Sequence, residues 1–371
     1  MILHLIEDSV ISDRIIQNFE EVLPNKNIYL CFIYKDVKYV KKRKYVYYYR
    51  VGGTFDEGVL NYEIQKIIIH YLSVPKIDFV DKYISILTPI YWVVWGGDVY
   101  NNLLTFHGFN IFYEPLYMGA RYFIKHFLSN VLNISVIRNR IGEKTLIFVK
   151  RRVRYFVSDV DYDLLKKTFP QYIKGRQIKG FFYYPIDSIV EKDLMVDSKC
   201  KTTIIIGNSC SNSNNHLYAF KFLRYLNLRE KTVVVPLSYG GTGKYKKHVI
   251  KEGYSIWGNK LRVISDFLPL EEYNRLLSTS AICIYANWRQ EAMGNILTVL
   301  GLGAKVFISE RNPLYLYLCQ LGLIIYSLEK INQAQIDEIF PLSAITHNRK
   351  IILDNFNKIA LAHGILEICG R

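Results

Sequence analysis

The chain has 371 residues, of which 50% are hydrophobic and 22% charged, so it can form two domains with their own cores, and a disordered protein is excluded. Its formal net charge of +15 predicts a polyanionic partner, either nucleic acid or anionic lipid. No apolar run is as long as a membrane span and no secretory signal pattern occurs at the start, so we expect the protein in the cytosol. The six cysteines are scattered and lack zinc-site spacing, so we expect them to be reduced thiols.

The first half of the chain predicts alternating strands and helices. Hydrophobic periodicity places strands at residues 1–6, 27–34, 76–80, 90–95, 134–136 and 146–149, and helices at residues 11–22, 59–71, 113–129 and 164–168. His4 lies in the first strand, and Asp8 follows its carboxyl end. This order is typical of a parallel α/β sheet.

A basic and aromatic surface is predicted in the first half. Lysine and arginine cluster at residues 35–50, 121–126 and 150–154, among tyrosine and phenylalanine. Such a mixture favours a membrane–water interface. An ordinary solvated basic face and a nucleic-acid surface are the alternatives, but no DNA- or RNA-binding motif occurs. We therefore expect an anionic membrane surface as a partner and no nucleic acid.

A glycine-rich turn follows the strand at residues 90–95 and leads to Asp98. Backbone N–H groups and one carboxylate at the carboxyl edge of a sheet suit a substrate cleft. A turn that Asp98 merely caps would have the same sequence. Further on, Asp159 and Asp161 form a D-x-D pattern, which holds a divalent metal in some enzymes. Because a helix follows at once, we interpret these carboxylates as caps and expect no metal site.

The second half is a more regular α/β repeat. Strands are predicted at residues 202–206, 232–235, 261–264, 281–285, 306–308 and 323–326, and helices at residues 216–226, 270–277, 295–302, 313–321 and 347–368. Residues 281–313 form one complete βαβ unit around which we expect the domain to be organised. Parallel sheets bind ligands beyond the carboxyl ends of their strands, where helix N-termini favour phosphate.

Three polar loops follow strands of this repeat. Residues 207–216 are mostly hydroxyls and amides, and residues 286–294 contain Arg289 before a helix. Residues 236–244 are glycine-rich but lack the spacing of a P-loop. These loops predict binding of a phosphate or sugar. The alternative is that they are ordinary connections of an α/β domain, or a flexible linker in the case of residues 207–216.

Several motifs together resemble the TDP-N-acetylfucosamine:lipid II N-acetylfucosaminyltransferase family, that is, the 4-alpha-L-fucosyltransferase-like glycosyltransferase family 56. The family has a histidine in its first strand and the patterns W-G-x-D-x-Y, V-G-N-S with S-N-x-H, V-V-P-x-x-Y, R-Q-x-x-x-G and N-P. The matching positions are His4 and residues 95–100, 206–209, 213–216, 234–239, 289–294 and 312–313. Their order spans nearly the whole chain. Three features depart from the family: Glu310-Arg311 before N-P, the segment 290–293, and the basic block at residues 35–50.

The resemblance implies the GT-B architecture, in which two Rossmann-like domains face each other across a cleft. It implies an acceptor-side domain at residues 1–184, a nucleotide-sugar-binding domain at residues 185–345, and a C-terminal helix at residues 346–371 that packs back on the first domain. It also implies transfer of a deoxyamino sugar, similar to N-acetylfucosamine, from a nucleotide-diphosphate donor of TDP type to a polyprenyl-diphosphate-linked oligosaccharide. We expect no cofactor, no metal, and a peripheral location on the cytoplasmic face of the bacterial inner membrane.

The resemblance and the loops together predict the site residues. The donor contacts are Gly207, Asn208, Ser209, Asn214, His216, Tyr239, Arg289, Gly294 and Asn295. The acceptor-side residues are Trp95, Gly96, Gly97 and Tyr100. Asp98 is the first candidate for the general base, with His4 and Asp8 as the others. Arg289 is expected to neutralise the leaving diphosphate. The alternatives are a GT-B transferase for capsule or O-antigen with another donor sugar, and a non-catalytic basic protein that binds nucleotides or anions.

Overall fold

The computed structural model describes residues 1–101, 103–114, 124, 127–128, 142–187 and 197–370. Contacts divide it into two compact units, the first formed by Met1–Phe109, Leu132–Tyr183 and Lys358–Arg371 and the second by Asn110–Val131 and Tyr184–Asn357. Most of the predicted helix at 113–129, the basic cluster at 121–126 and the predicted strand at 134–136 lie outside the described residues.

A seven-stranded parallel sheet forms the first unit, in the order β3-β2-β1-β4-β5-β6-β7. Its strands are β1 Ile2–Glu7, β2 Asn27–Ile33, β3 Val46–Arg50, β4 Lys66–His70, β5 Ile90–Val93, β6 Val153–Val157 and β7 Arg176–Ile178. The strand order reverses between β1 and β4. The carboxyl ends of these two strands therefore form the switch point at which α/β sheets bind ligands.

The helices of this unit include α1 Val10–Val22, α2 Val74–Tyr83, α3 Gly97–Tyr100, α4 Glu143–Arg152 and α5 Tyr162–Thr168. Three predictions of element type were wrong. The helix predicted at residues 59–71 contains strand β4, and the strands predicted at 76–80 and 146–149 lie in α2 and α4. A strand buried on both faces has no polar–apolar alternation, so the apolar run of β4 did not reveal its period.

A six-stranded parallel sheet forms the second unit, in the order β10-β9-β8-β11-β12-β13. Its strands are β8 Thr203–Ile206, β9 Thr232–Pro236, β10 Leu261–Ile264, β11 Ser280–Tyr285, β12 Lys305–Ile308 and β13 Tyr326–Ser327. Its helices are α6 His216–Leu223, α7 Gly243–Trp257, α8 Leu270–Ser278, α9 Met293–Gly301, α10 Pro313–Gln320, α11 Gln333–Asp337 and α12 Leu342–Asn355. The switch point of this sheet lies between β8 and β11. Helix α7, which begins inside the glycine-rich segment, was not predicted.

Instead of the one final helix predicted at residues 346–371, the structure has two. Helix α12 belongs to the second unit, and α13, Lys358–Gly370, belongs to the first. The core of the first unit includes Ile365 and Ile368 of α13. The buried ammonium of Lys66 donates to the carbonyl oxygens of Ile368 (3.4 Å) and Cys369 (2.5 Å), which satisfies the end of this helix.

The predicted fold class is confirmed: the protein is α/β, with two Rossmann-like parallel sheets. Short 3₁₀ turns complete the described elements at Glu57–Asn61, Leu104–His107, Ser198–Cys200, Asn212–Asn214, Gly258–Lys260 and Leu328–Lys330. Within the described ranges, no helix has both the length and the apolarity needed to cross a bilayer.

Candidate functional site

The loop after β8 in the second unit is built around the side chain of Asn214. Its carbonyl oxygen accepts a hydrogen bond from the backbone N–H of Asn208 (2.9 Å), and its amide donates to Ser209 Oγ (3.0 Å). Gly207 begins the loop with φ of +72°, and a Cβ there would lie 2.7 Å from both Asn214 Oδ1 and His216 Nε2. The loop therefore requires glycine at this position. Four predicted donor contacts thus lie together at the carboxyl end of β8.

His216 stands at the start of α6 and is fully buried. Its backbone N–H donates to the hydroxyl oxygen of Tyr245 (3.1 Å), and its Nδ1 forms a second hydrogen bond with the same hydroxyl group (3.0 Å). Burial lowers the pKa of His216 to about 3, so the ring is neutral. The other ring nitrogen, Nε2, is buried and has no partner among the described residues.

The loop after β11 is joined to the loop after β8 through Glu291. One oxygen of this carboxylate, Oε2, accepts hydrogen bonds from Ser213 Oγ (2.6 Å), Asn287 Nδ2 (2.9 Å) and Arg289 Nε (3.0 Å). The charge of Arg289 is therefore offset by a carboxylate rather than directed wholly at a ligand. Ala292 follows with φ of +66°, a conformation that costs energy for any residue with a Cβ.

Five buried polar atoms on the loops after β8, β11 and β12 lack a hydrogen-bond partner in the described structure. They are Asn208 Oδ1, His216 Nε2, Asn287 Oδ1, Trp288 Nε1 and Asn312 Nδ2. Leaving such an atom unpaired costs about 1–3 kcal/mol, so in native proteins such atoms are paired with protein groups, ordered water or a bound ligand. Their concentration on neighbouring loops at one edge of the sheet makes this edge, which is rich in donors and acceptors, the candidate ligand site.

The remaining predicted donor contacts lie on the same edge. Tyr239 is 51% exposed, and its hydroxyl accepts from Asn208 Nδ2 at 3.4 Å. Gly294 and Asn295 are half-buried in the first turn of α9. Sequence reasoning did not name Glu291, Asn287 and Trp288 as site residues, although each lies in the loop that directly follows β11.

Asp98 in the first unit is a buried structural carboxylate. It is 2% exposed and accepts hydrogen bonds from Leu72 N (2.9 Å), Trp92 Nε1 (2.8 Å) and Trp95 N (3.1 Å). Burial raises the pKa of Asp98, and these three donors oppose that rise. The geometry does not support Asp98 as a general base that contacts a substrate, because its oxygens are enclosed by these donors. It instead fixes the loops that follow β4 and β5.

His4 lies within a buried chain of hydrogen bonds. Asn27 uses its amide N–H groups on other acceptors, so its oxygen accepts from His4 Nε2 (3.1 Å), and His4 Nδ1 then accepts from His70 Nε2 (3.0 Å). His70 Nδ1 accepts from the Tyr183 hydroxyl (2.6 Å), which accepts from Trp95 Nε1 (3.0 Å). Every ring is neutral in this arrangement. His4 is 0% exposed and both of its ring nitrogens are engaged in this chain, so the geometry does not support His4 as the predicted base.

Asp8, the third candidate base, anchors a loop. Its carboxylate accepts the backbone N–H groups of Lys38 (2.6 Å), Tyr39 (2.9 Å) and Val40 (2.8 Å). Three donors on one carboxylate hold the start of the basic block against the carboxyl end of β1. This geometry gives Asp8 a positioning role.

The predicted acceptor-side residues separate into two groups. Trp95 and Gly97 are half-buried at the carboxyl edge, and the buried Gly96 between them has φ of +77° and precedes α3, which begins at Gly97. Tyr100, in contrast, is fully buried and donates to Asp161 Oδ1 at 2.7 Å. Tyr100 is therefore a core residue, and the prediction that it faces an acceptor is not supported.

The D-x-D carboxylates are engaged in the fold. Asp161 accepts from Tyr100, and Asp159 accepts from the backbone N–H of Gly180 at 2.7 Å. In the part of the chain that the structure describes, no group of three or more histidine, cysteine or acidic side chains is arranged to hold a metal ion.

An ion pair at the switch point of the first sheet was not anticipated from the sequence. Lys76 is fully buried, and its ammonium donates to the carbonyl oxygens of His70 (2.7 Å) and Tyr71 (2.8 Å) and lies 3.5 Å from Glu7 Oε1. Burial lowers the pKa of Lys76 to about 8, with Glu7 opposing that change. The side chain of Glu7 is 29% exposed, so this edge presents one accessible carboxylate whose charge a buried ammonium stabilises.

Buried neutral histidines predict acid sensitivity. Burial lowers the pKa of His4 and His216 to about 3 and that of His70 well below its usual value. The unfolded chain, with a histidine pKa near 6.5, therefore binds more protons than the native protein below that pH. The contribution of these neutral rings to stability is therefore fully present above about pH 6.5. As the pH drops towards 3, the free energy of unfolding falls by up to about 1.4 kcal/mol per pH unit for each histidine.

Urea unfolding at pH 7 and pH 5 measures this effect. His216→Gln is expected to reduce the difference between the two pH values, because one titrating group is removed. His363→Gln is the matched control, since His363 is exposed on α13. Equal pH dependence in the wild type and in His216→Gln would contradict the assignment of a neutral buried ring.

Comparisons with known proteins agree with the fold. Residues 149–360 match the family described as 4-alpha-L-fucosyltransferase, glycosyl transferase group 56. The chain is similar in structure to Anabaena HepE in complex with UDP and glucose (TM-score 0.61, 10% identity, 100% of this chain and 99% of that one covered). It is also similar to a trehalose 6-phosphate synthase from Burkholderia multivorans (TM-score 0.63, 8% identity) and to a glycosyltransferase from Rickettsia africae (TM-score 0.63, 12% identity). Each of these two matches covers 99% of this chain and 97% of the other one. These structures share the GT-B fold with the chain.

Proposed function

Because the chain belongs to the 4-alpha-L-fucosyltransferase family, glycosyl transferase group 56, it is a glycosyltransferase, and we propose that the second unit binds a nucleotide-diphosphate sugar as the donor. The family membership confirms the resemblance found in the sequence. The alternative of a non-catalytic anion-binding protein therefore no longer holds.

The cluster of buried unpaired polar atoms in the second unit carries the proposal of donor binding. The oxygens of Asn208 and Asn287 are acceptors for hydroxyl or base N–H groups, and the N–H groups of Trp288 and Asn312 are donors for phosphate or sugar oxygens. The buried Nε2 of His216 donates or accepts according to the tautomer of the ring. A nucleotide sugar offers both kinds of partner within one molecule. HepE, which has the same fold, was crystallised with UDP and glucose, in keeping with such a donor.

The proposed reaction moves a deoxyamino sugar, similar to N-acetylfucosamine and carried by TDP, to a polyprenyl-diphosphate-linked oligosaccharide. The sugar, the TDP carrier and the lipid-linked acceptor rest on the family motifs. In the transfer, the acceptor oxygen forms a bond to the anomeric carbon while the bond from that carbon to the diphosphate oxygen breaks. The nucleoside diphosphate leaves with the electron pair, and the acceptor proton passes to a base.

Glu7 is the carboxylate that we propose for this base. Asp98 and His4 are enclosed, and Asp8 holds three backbone N–H groups. Glu7 lies at the switch point of the first sheet, is partly exposed, and has the ammonium of Lys76 3.5 Å from its Oε1. An ionised carboxylate with accessible surface is what removal of a hydroxyl proton requires.

We propose that the transfer needs no metal ion, because arginine side chains and buried N–H donors of the second unit can offset the charge of the leaving diphosphate. The runner-up within the same enzyme class is a transferase for capsule or O-antigen with another donor sugar. The sequence motifs favour the TDP-linked donor and the polyprenyl-diphosphate-linked acceptor. The nucleotide that the protein prefers distinguishes this transferase from the runner-up.

A basic loop in the first unit supports peripheral binding to the cytoplasmic face of the bacterial inner membrane. Residues 34–44 contain six lysine or arginine residues, and Tyr34, Val37 and Tyr39 are exposed by 57%, 40% and 38%. Exposed basic and aromatic side chains on one loop suit an anionic lipid surface. A polyprenyl-linked acceptor would lie in such a surface.

A thermal-shift panel tests the donor proposal first. TDP or UDP nucleotides are expected to raise the melting temperature selectively over GDP and CMP, with and without EDTA, because a ligand of the native state stabilises it by mass action. Glu7→Gln is expected to keep this shift and to lose sugar transfer. Absence of a shift with every nucleotide at millimolar concentration would refute donor binding by this protein.

Vesicle sedimentation tests the membrane proposal. Vesicles with phosphatidylglycerol are expected to bind the protein and neutral phosphatidylcholine vesicles are not. Replacing Lys41, Lys42 and Lys44 by alanine should weaken binding. Replacing three exposed lysines of the second unit, Lys221, Lys247 and Lys251, is the charge-matched control. Equal loss in both triple variants would show that only net charge matters and would refute the loop as the docking element.

A further inference from the structure

Arg311 follows β12 and stacks on an aromatic ring of the candidate donor site. Its guanidinium carbon lies 3.4 Å from the ring centroid of Trp288, in the loop after β11. The Trp288 ring is itself fixed, since it is 4% exposed and packs edge-on against Tyr113 and Tyr218 with centroid separations of 6.1 and 5.0 Å. A guanidinium stacked in this way is held in one orientation, while the N–H groups at its rim remain able to bind a ligand.

In the part of the chain that the structure describes, no neighbouring carboxylate neutralises the charge of Arg311. Among the described residues, no acidic oxygen lies within 4.0 Å of its side-chain nitrogens, whereas Arg289 is paired with Glu291 at 3.0 Å. The acidic side chains next to Arg311 are engaged elsewhere. Glu310 pairs with Lys330 at 2.6 Å, and Glu329 accepts from Ser309 Oγ, Tyr218 OH and the backbone N–H of Glu310.

Two buried N–H donors belong to residues that adjoin Arg311. The indole nitrogen of Trp288, on which Arg311 stacks, has no partner in the described structure. Asn312, the next residue in the chain, is 1% exposed and uses its oxygen to cap α10 through Leu314 N at 3.0 Å, which leaves its amide nitrogen as an unpaired donor. An unpaired cation, two unpaired donors and the positive end of a helix favour an anion.

We propose that Arg311, together with the N–H groups of Trp288 and Asn312, binds the diphosphate of the nucleotide-sugar donor. This inference rests on the proposed donor and assigns its diphosphate to a residue that the family motifs did not indicate. Arg289, which was expected to neutralise the leaving group, instead holds the loop through Glu291. When the bond to the anomeric carbon breaks, negative charge grows on the terminal phosphate, and Arg311 stabilises it there.

Calorimetric titration with nucleoside diphosphates and monophosphates tests this assignment. The wild type is expected to bind UDP or TDP more tightly than the corresponding monophosphate. Arg311→Ala should weaken diphosphate binding about 10-fold or more and leave monophosphate binding within about twofold, because only the terminal phosphate loses its charged partner. Arg311→Lys keeps the charge but loses the planar stack, so its affinity for the diphosphate should lie between those of the wild type and Arg311→Ala. Trp288→Phe keeps the ring and removes the indole N–H, so it should weaken diphosphate binding alone.

Monophosphate binding reports whether each variant still has a native site. If Arg311→Ala keeps the full preference for diphosphate, the assignment of Arg311 is overturned, and the proposed function stands. If Arg289→Ala rather than Arg311→Ala removes the preference, the diphosphate belongs to Arg289. If the wild type binds no nucleotide at all, both the proposed donor and this inference are overturned.

Discussion

Replacing Asp98 by alanine is expected to lower the free energy of unfolding by about 3 kcal/mol or more, because three buried N–H donors lose their acceptor at once. These donors belong to the loop after β4, to β5 and to the loop after β5: Leu72 N, Trp92 Nε1 and Trp95 N. Asp98→Asn retains one carbonyl oxygen and is expected to be intermediate. Urea denaturation followed by tryptophan fluorescence measures both changes.

The matched control is Asp36→Ala. Asp36 lies on the surface of the same unit, where its side chain is fully exposed and 3.9 Å from Arg50, so its loss should change stability little. A folded Asp98→Ala protein with unchanged stability and no transferase activity would contradict the structural role and restore Asp98 as the candidate base. Loss of both stability and activity supports the structural role.

Replacing Gly241 by alanine is expected to abolish nucleotide binding. Gly241 has φ of +66°, and a Cβ at this position would lie 2.0 Å from the backbone oxygen of Cys210. Cys210 belongs to the loop after β8, and its N–H donates to Tyr239 O at 2.7 Å. The backbone cannot yield to the clash without moving this loop, so we expect a loss of about 2–4 kcal/mol in stability together with loss of the nucleotide-induced thermal shift.

Gly243→Ala provides the control within the same glycine-rich segment. A Cβ on Gly243 meets no atom within 4 Å, and this residue is the first of α7. Alanine is the better helix former by up to about 1 kcal/mol, so Gly243→Ala should bind nucleotide normally with equal or higher stability. If both variants lose binding equally, flexibility of the whole segment, rather than the close approach to Cys210, is required.

The first-unit site shows why residue type and chain position were insufficient to assign roles. Asp98, His4 and Asp8 all stand in or after strands at the carboxyl edge, as expected from the pattern. Their exposure and partners are decided by segments far away in the sequence, such as Tyr183 for the histidine chain. A carboxylate that caps a turn and one that contacts a substrate have the same local sequence, because the difference lies in what packs above them.

Local patterns in the chain were enough to predict the α/β class, the polar loops after β8 and β11, and the family, because hydrophobic period, turn residues and motif spacing are local properties. Three contacts could not be predicted in this way: Glu291 joins Arg289 to Ser213, Arg311 stacks on Trp288, and Lys76 pairs with Glu7. The structure also corrected the helix predicted at residues 59–71, which contains strand β4, because a buried apolar run has no distinctive period. Charge pairing and burial depend on which distant residues meet at a sheet edge, and that meeting is a consequence of packing rather than of local pattern.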